Sequence, residues 1–184
     1  MHKFQYNEEI RLKIQDPFKI LKSIGLKEGY TFIDIGSNDG FFSVPASKIV
    51  GLNGKVYAID IDSTAIERLK NKIMDNGINN IETVISEGEN FLGGENIADI
   101  IFLGTVLHDF KDPFKVLQNS FSMLKNKGKL VDFDWKKKDT KMGPPLSIRL
   151  SETEAEELLK RTNFSDIKVQ DISENFYQII AFKN

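Results

Sequence analysis

The chain alternates between short apolar runs and longer amphipathic segments. Residues 31–35 and 55–59 are apolar and β-prone, and they predict strands that are covered on both faces. A later segment carries Ile66, Leu69 and Ile73 three or four positions apart, which is the spacing of one face of a helix. Strands that alternate with helices in this way predict a parallel sheet with helices packed on its faces.

Several predicted elements have recognisable boundaries. Asp16 and Pro17 predict the start of an early helix that ends at Gly25, and Ser151 with Glu154 predicts a capping box for the last helix. The remaining helices are predicted at residues 40–50, at 63–76, and from 112 to about 124. Strands are predicted at residues 31–35, 55–59, 81–85, 98–103, 129–135, 167–172 and 176–182.

The last two predicted strands are joined by the tight turn at residues 173–175, which makes them an antiparallel hairpin. The predicted fold class is therefore α/β: a Rossmann-like, doubly wound, seven-stranded sheet, mostly parallel, with an antiparallel C-terminal hairpin. Because no repeat or linker interrupts the pattern, we expect a single domain over residues 1–184, with residues 1–15 as a candidate N-terminal lid. Phe4 and Tyr6 would belong either to that lid or to a frayed terminus.

Residues 30–40 are the most informative stretch. The first strand ends near Asp34, and Gly36 and Gly40 follow in a turn that opens the next helix. Glycines in such a turn allow the backbone to approach a ligand at the carboxyl edge of a parallel sheet. The second strand leads into Asp60, and an acid at that position can bind both hydroxyls of a ribose. This order predicts a nucleoside-binding half-fold.

The turn does not fit a dinucleotide. The pattern G-x-G-x-x-G would require glycines where Asn38 and Phe41 stand, and Asp34 and Asp39 would place negative charge beside a diphosphate. A cofactor with a cationic end and no phosphate suits the turn better, and S-adenosylmethionine has a sulfonium, an ammonium and a free ribose. Asparagine tolerates a positive φ better than most residues, so we expect the turn to form with Asn38 in it.

The segment D-I-G-S-N-D-G at 34–40 resembles the first motif, D/E-x-G-x-G-x-G, of class I S-adenosylmethionine-dependent methyltransferases, with Asn38 at the middle glycine. Residues 98–109 and 124–130 resemble the strand-four and strand-five segments of the small-molecule, ubiquinone/menaquinone-methylase-like branch. The C-terminal hairpin also fits that family. The resemblance covers the chain from about residue 17 onwards, and it implies methyl transfer from S-adenosylmethionine, with S-adenosylhomocysteine as product.

The resemblance also implies a set of binding residues. Asp60 corresponds to the family's ribose-binding acid, which we expect to be an exposed acid at the strand end. Glu87 and Gly88 correspond to an acid and a small residue that contact adenine, although Glu89 competes with Glu87 for that role. The implied cofactor-binding residues are Asp34, Gly36, Ser37, Asn38, Gly40, Asp60, Ile61, Glu87, Gly88 and Gly104.

Two residues are candidates for chemistry on the methyl acceptor. His108 follows the fourth strand at the carboxyl edge, where it would accept a proton, bind the acceptor or serve only as a structural loop residue. Asp132 lies deep in a central strand and should be paired, either in the acceptor pocket or in a structural hydrogen bond. Asp134 ends the same strand and is expected to reach water. Methyl transfer mainly requires alignment of the reactants, so a full catalytic constellation is not expected.

The loop at residues 136–150 leaves the sheet from the same edge and is rich in lysine. Loops of this length are often binding elements, so it predicts one wall of the acceptor pocket. Its positive charges would either bind an anion or form a solvated charge run.

Composition narrows the class of protein. The chain has 184 residues, 40% of them hydrophobic and 28% charged, with a formal net charge of -2, which suits one compact domain and argues against general nucleic-acid binding. The absence of cysteine excludes disulfides, thiolate metal sites and thiol-dependent arsenite methylation, and no metal site is expected. We expect a cytoplasmic protein without membrane association, because apolar runs stay far below the ~20 residues that span a bilayer. The oligomeric state is left open.

A small organic molecule is the acceptor that we favour. The alternatives are a non-catalytic S-adenosylmethionine-binding or sensing module, a protein or RNA methyltransferase and, as a distant third, an NAD-dependent oxidoreductase. The missing middle glycine at Asn38 and the lack of a recognisable catalytic group motivate the sensing module.

We predict that the chain binds S-adenosylmethionine or S-adenosylhomocysteine and does not bind NAD, because of the glycine spacing and the acids at positions 34, 39 and 60. Isothermal titration calorimetry with the three ligands measures this. Micromolar binding of NAD with no response to S-adenosylhomocysteine would contradict the prediction.

Overall fold

The computed structural model describes residues 8–140 and 142–184, and its centre is a seven-stranded sheet. The strands are β1 (Thr31–Ile35), β2 (Lys55–Asp60), β3 (Ile81–Ile85), β4 (Ala98–Gly104), β5 (Leu124–Trp135), β6 (Ser165–Asp171) and β7 (Phe176–Phe182). The helices are α1 (Glu8–Ile14), α2 (Pro17–Ser23), α3 (Ser43–Val50), α4 (Ser63–Asp75), α5 (Pro113–Met123) and α6 (Glu152–Arg161). Single 3-10 turns occur at Gly88–Asn90 and Leu107–Asp109.

The strand order is β3-β2-β1-β4-β5-β7-β6. Strands β1 to β5 are parallel, whereas β7 runs antiparallel to both β5 and β6. The strand order reverses between β1 and β4, which is the point where ligands bind in doubly wound sheets. The predicted fold class, including the antiparallel C-terminal hairpin, is confirmed.

Helices cover both faces of the sheet and enclose two hydrophobic cores. One core joins the sheet to α2 and α3 through side chains such as Phe32, Phe102 and Phe133, and the other joins it to α5 and α6 through Leu103 and Ile179. Burying these large apolar side chains, each contributing about 1.5–3 kcal/mol, stabilises the three-layer arrangement. The rigid sheet fixes the positions of the strand ends that carry the polar residues.

Two element boundaries differ from the predicted ones. Strand β5 begins at Leu124 instead of residue 129, because Leu124 pairs with Ala98 of β4 across a register irregularity instead of extending α5. Helix α3 begins at Ser43 instead of residue 40, because Asn38 and Gly40 adopt positive φ values of 50° and 87° and hold the preceding residues in a turn. The functional segment after β1 is therefore a longer turn than the glycine pattern predicted.

Helix α1 lies within the segment that was predicted as a lid. The Arg11 guanidinium stands over the ring of Phe41 at 3.9 Å from its centroid, and within 5.7 Å of the ring centroid of Phe42. Helix α1 therefore contacts the residues that directly follow the glycine turn. Phe4 and Tyr6 lie outside the described residues.

Within the described parts of the chain, no helix has both the length and the apolar character that crossing a membrane would require.

Candidate functional site

A pocket opens at the carboxyl ends of β1 and β2, beside the turns that follow β3 and β4. The side of the pocket formed by β1, β2 and their turns is lined by Ile35, Gly36, Ile59, Asp60 and Ile61. The turns that follow β3 and β4 contribute Ser86, Glu87, Gly88, Glu89, Val106, Asp109, Phe110 and Lys111 to the lining. Four successive strand ends thus meet around one cavity, as expected for the carboxyl edge of a parallel sheet.

The glycine turn brings its backbone against the wall of this pocket. Gly36 has a φ of 81°, and a Cβ atom there would lie 2.5 Å from the Val106 side chain. Asn38, at the middle position, has a φ of 50°, which confirms that asparagine adopts the left-handed conformation at this place. The turn therefore packs closely against Val106, and its approach to a ligand stays a prediction.

Asp60 holds the glycine turn through hydrogen bonds to the backbone. Its carboxylate accepts the backbone N–H of Asn38 at 2.7 Å and the backbone N–H of Asp62 at 2.8 Å. The residue is only 2% exposed, so the expectation of an exposed strand-end acid was wrong. Burial raises the pKa of Asp60, and the hydrogen bonds from the backbone N–H groups oppose that rise. Asp60 lines the pocket and also holds the turn in place.

Asp34 lies behind the turn and is 1% exposed. Its carboxylate accepts the Ser43 hydroxyl at 2.5 Å, and the positive charge of Arg11 acts on it. Burial raises the pKa of Asp34 to about 7, because the hydrogen bond and the charge of Arg11 only partly offset the loss of hydration. At this edge of the sheet, the ionised form of Asp34 loses more free energy from burial than it regains from its neighbours.

Glu87 and Glu89 both line the pocket but have different partners. Glu87 accepts the side-chain amide of Asn90 at 2.7 Å, whereas Glu89 accepts the backbone N–H groups of Lys111 and Asp112. Glu89 therefore fixes the chain that leads into α5. Next to Glu87, a Cβ atom at Gly88 would lie 2.6 Å from the Phe110 ring, so a larger residue there would require the ring to move.

A buried histidine–aspartate pair lies beside the pocket. The His108 Nδ1 atom is 2.9 Å from Asp134 Oδ1 and 2.8 Å from Oδ2, and only 4% of the His108 side chain is exposed. Burial alone would lower the pKa of His108, but the hydrogen bond and charge of Asp134, together with the charge of Asp109, raise it above its usual value. Asp134 is buried, so the expectation that it reaches water was wrong.

Asp132 lies on the same face of β5 as Asp134, two residues earlier. It is fully buried, its Oδ2 atom accepts the Tyr177 hydroxyl at 3.2 Å, and its Oδ1 atom has no hydrogen-bond partner among the described residues. Burial and the charge of Asp134 raise the pKa of Asp132 well above its usual value. Asp132 is therefore paired, as predicted, but with a tyrosine of β7, and it does not line the pocket.

The lysine-rich loop at residues 136–150 is held by contacts within the protein. Three of its lysines form ion pairs: Lys136 with Asp171 at 2.6 Å, Lys137 with Glu154 at 2.8 Å and Lys138 with Glu174 at 3.7 Å. Arg149 is buried and donates to the carbonyl oxygens of Lys136, Lys138, Met142 and Pro144. These charges stabilise the loop itself and favour the structural interpretation over an anion site.

Half of the predicted cofactor residues line the described pocket, namely Gly36, Asp60, Ile61, Glu87 and Gly88. The other half, Asp34, Ser37, Asn38, Gly40 and Gly104, belongs to the glycine turn, its support and the end of β4. At Gly104 a Cβ atom would lie 2.7 Å from Phe102 and 2.9 Å from Phe42, so this glycine is explained by core packing.

The chain is similar to known proteins over the segment that contains this pocket. A sequence model described as a methyltransferase domain matches residues 26–184. The chain is also similar to a SAM-dependent methyltransferase from Aquifex aeolicus: its crystal structure gives a TM-score of 0.89 at 30% sequence identity, covering 98% of this chain and 100% of that chain.

The chain belongs to the methyltransferase domain family. It is 29% identical over 114 residues to the ubiquinone/menaquinone biosynthesis C-methyltransferase of Haemophilus ducreyi, covering 61% of this chain and 44% of that protein. It is 36% identical over 114 residues to a probable cobalt-precorrin-6B C(15)-methyltransferase (decarboxylating) of Sulfurisphaera tokodaii. That match covers 60% of this chain and 56% of that protein. The chain therefore spans about half the length of these curated relatives.

Sequence reasoning missed several residues of this methyltransferase domain. Val106 and Phe110 line the pocket, and Asp134 orients His108, but apolar residues after a strand and an acid at its end carry no distinctive pattern. Thr105 has a φ of 58°, which is strained for a β-branched residue, and its N–H donates to the Phe133 carbonyl at 2.7 Å. No sequence pattern indicates this strained turn, which follows β4 and leads into Val106, the residue that meets Gly36.

Replacing Asp60 with asparagine should weaken both the fold and cofactor binding. One oxygen would become an NH₂ group facing a backbone N–H, so we expect Asp60→Asn to lower the free energy of unfolding by ~1–3 kcal/mol. We expect a similar loss in the affinity for S-adenosylhomocysteine. Urea denaturation and calorimetry measure the two quantities, with the exposed Asp75→Asn as the matched control. Full affinity in Asp60→Asn would mean that Asp60 does not contact the ligand.

Asp34 should make stability depend on pH. Its pKa rises from 3.8 to about 7 on folding, so within that window the folded chain keeps a proton that the unfolded chain has lost. The free energy of unfolding should therefore fall as pH rises through the window. Asp34→Asn removes this loss, so its stability relative to the parent protein should increase by ~2–3 kcal/mol between about pH 5 and about pH 8. Urea denaturation at both pH values measures the difference, and an unchanged difference would show that Asp34 ionises normally.

Proposed function

We propose that this protein transfers a methyl group from S-adenosylmethionine to a small-molecule acceptor. One observation carries the proposal: Gly36, Asp60, Ile61, Glu87 and Gly88 come from three separate strand ends and line one pocket. A bound nucleoside requires these groups in one place. They are a backbone that approaches it closely, an acceptor for the ribose hydroxyls, an apolar side chain against the base and a polar group that hydrogen-bonds the base. Family membership supports the same reading.

In this proposal the adenosine end of the cofactor occupies the described pocket. Asp60 accepts the ribose hydroxyls, and Ile61, about half exposed at 52%, covers one face of adenine. Glu87 accepts the exocyclic amine of adenine, and Gly88 leaves room for the ring. Burial of the Ile61 side chain under adenine would remove apolar surface from water and favour binding.

The methionine end of the cofactor would follow the glycine turn towards Gly104. The Ser37 hydroxyl is buried and has no hydrogen-bond partner among the described residues, so a polar ligand group would satisfy it. Asp34 adds a partly compensated carboxyl group behind the turn, which favours a cationic ligand. Asn38 and Gly40 would shape the backbone around this end. These features fit a sulfonium and an ammonium and do not fit a diphosphate.

The acceptor would dock beside β4 and β5, where His108 is the proposed catalytic residue and Asp132 a supporting residue. Asp132 would act there through its neighbours, because it is fully buried. Small-molecule chemistry is supported by the named activities of the curated relatives, which act in ubiquinone/menaquinone biosynthesis and on cobalt-precorrin-6B. We propose one domain over residues 1–184, in which α1 serves as a lid, because Arg11 already contacts Phe41.

The experiment is methyl transfer from methyl-labelled S-adenosylmethionine to three fractions of one cell extract: small molecules, protein and RNA. We expect label in the small-molecule fraction, and about tenfold less with Asp60→Asn at sub-saturating cofactor. Asp75→Asn should transfer normally. Tight cofactor binding without transfer to any fraction would support the sensing module instead, and label in protein or RNA would contradict the small-molecule acceptor.

A further inference from the structure

The His108 ring and the Asp134 carboxylate are held in one fixed geometry by several hydrogen bonds. Both carboxylate oxygens of Asp134 lie within 2.9 Å of Nδ1, and Asp134 Oδ1 also accepts the backbone N–H of Trp135 at 2.7 Å. The carboxylate is thus fixed by the strand, and it fixes the ring in turn. A buried carboxylate on one ring nitrogen holds the proton there and leaves the lone pair on the other nitrogen.

The second nitrogen lies near a residue that lines the pocket. His108 Nε2 lies 3.8 Å from Oδ1 of Asp109, and Asp109 lines the pocket. Val106, two residues before His108, lines it as well. The ring therefore lies between a fixed carboxylate of the sheet and a residue that lines the pocket.

We propose that His108, oriented by Asp134, is the general base of the methyl transfer, and that the acceptor is a neutral molecule whose nucleophilic atom loses a proton as it is methylated. This inference rests on the proposed function. His108 would be the catalytic residue, because it touches the reacting proton, and Asp134 a positioning residue, because it acts through the ring.

The step balances without a further reactant. The acceptor atom uses an electron pair to form a bond to the methyl carbon, and the carbon–sulfur bond breaks with its pair going to sulfur, which becomes a neutral thioether. The proton of the acceptor atom passes to His108 Nε2, and its bonding electrons stay on that atom. The positive charge lost by the sulfonium thus appears on the imidazolium beside Asp134, from which the proton leaves to water.

The charges around the ring select the acceptor class. The negative charges of Asp134 and Asp109 and the positive charge of Arg149, which belongs to the lysine-rich loop, act on the His108 ring. Since two carboxylates and one cation act on the ring, an imidazolium formed during the reaction is stabilised. A neutral acceptor with an ionisable hydroxyl or an activated C–H fits this field.

The first test requires no acceptor. The sequence has two histidines, so ¹⁵N-labelled protein carrying His2→Gln reports His108 alone. With S-adenosylhomocysteine bound, we expect neutral His108 to carry its proton on Nδ1, and Asp134→Asn to lower the pKa of His108. Asp75→Asn should leave that pKa unchanged. A proton on Nε2, or the same pKa in Asp134→Asn, would overturn the proposal.

The second test measures the role in transfer with two probes. Phenol ionises at about pH 10, as the tyrosine side chain does. It therefore still carries its proton at neutral pH, and it loses a proton when it is methylated at oxygen or at a ring carbon. A nitro-substituted phenol that is already ionised at the assay pH loses none. We expect His108→Gln and Asp134→Asn to slow transfer to phenol by ~100-fold or more, and transfer to the ionised probe far less.

The results separate the possible failures. Parent protein that does not bind S-adenosylhomocysteine would refute the proposed function itself, whereas binding without transfer to phenol would overturn only the acceptor class. Equal losses on both probes would make the pair structural. A rate of phenol methylation that falls as pH rises through the pKa of His108 would mean that the imidazolium is the active form, and it would overturn the base. His108→Gln replaces the base and Asp134→Asn replaces its partner. If one of the two variants fails to fold, the other still tests the proposal.

Discussion

The central physical constraint on this structure is the burial of negative charge at one edge of a parallel sheet. Asp34, Asp60, Asp132 and Asp134 stand at or near the carboxyl ends of β1, β2 and β5, and none is more than 2% exposed. A carboxylate taken out of water costs several kcal/mol unless it gains partners or a proton. Each acid is compensated differently, by Ser43 and Arg11, by two backbone N–H groups, by Tyr177 and by His108.

These different compensations divide the edge into parts with different chemistry. Asp60 receives two backbone donors and becomes a fixed anchor, while Asp34 keeps a pKa near 7 and gains most from a positive neighbour. Asp134 is paired with an imidazole, so this part of the edge contains a group that can accept a proton. A cationic cofactor would relieve the edge as a whole, because it supplies the positive charge that the chain itself provides only in part. Fold stability and ligand preference therefore have one electrostatic origin.

Sequence patterns predicted the order of elements well, because buried parallel strands are continuous apolar runs and helices carry spaced apolar positions. They failed where tertiary pairing overrides local preference: Leu124 continues the helical spacing of α5, yet it pairs with Ala98 in the sheet. The pattern also placed the acids but not their partners. The contact between Asp134 and His108 joins residues 26 positions apart, and that between Tyr177 and Asp132 joins residues 45 apart, so no local pattern contains them.

The departure at Asn38 shows how a family motif can lose a glycine and keep its shape. The main-chain N–H of Asn38 is held by Asp60, and its side-chain oxygen accepts the N–H of Asp39 at 2.8 Å. Asp39 in turn pairs with Lys72 of α4 at 3.0 Å, which ties the turn to the next helix and balances its charge. Asparagine thus supplies through hydrogen bonds the left-handed conformation that glycine supplies through freedom of φ. The substitution restricts the unfolded turn more than glycine would, which favours a turn that is already shaped before its ligand arrives.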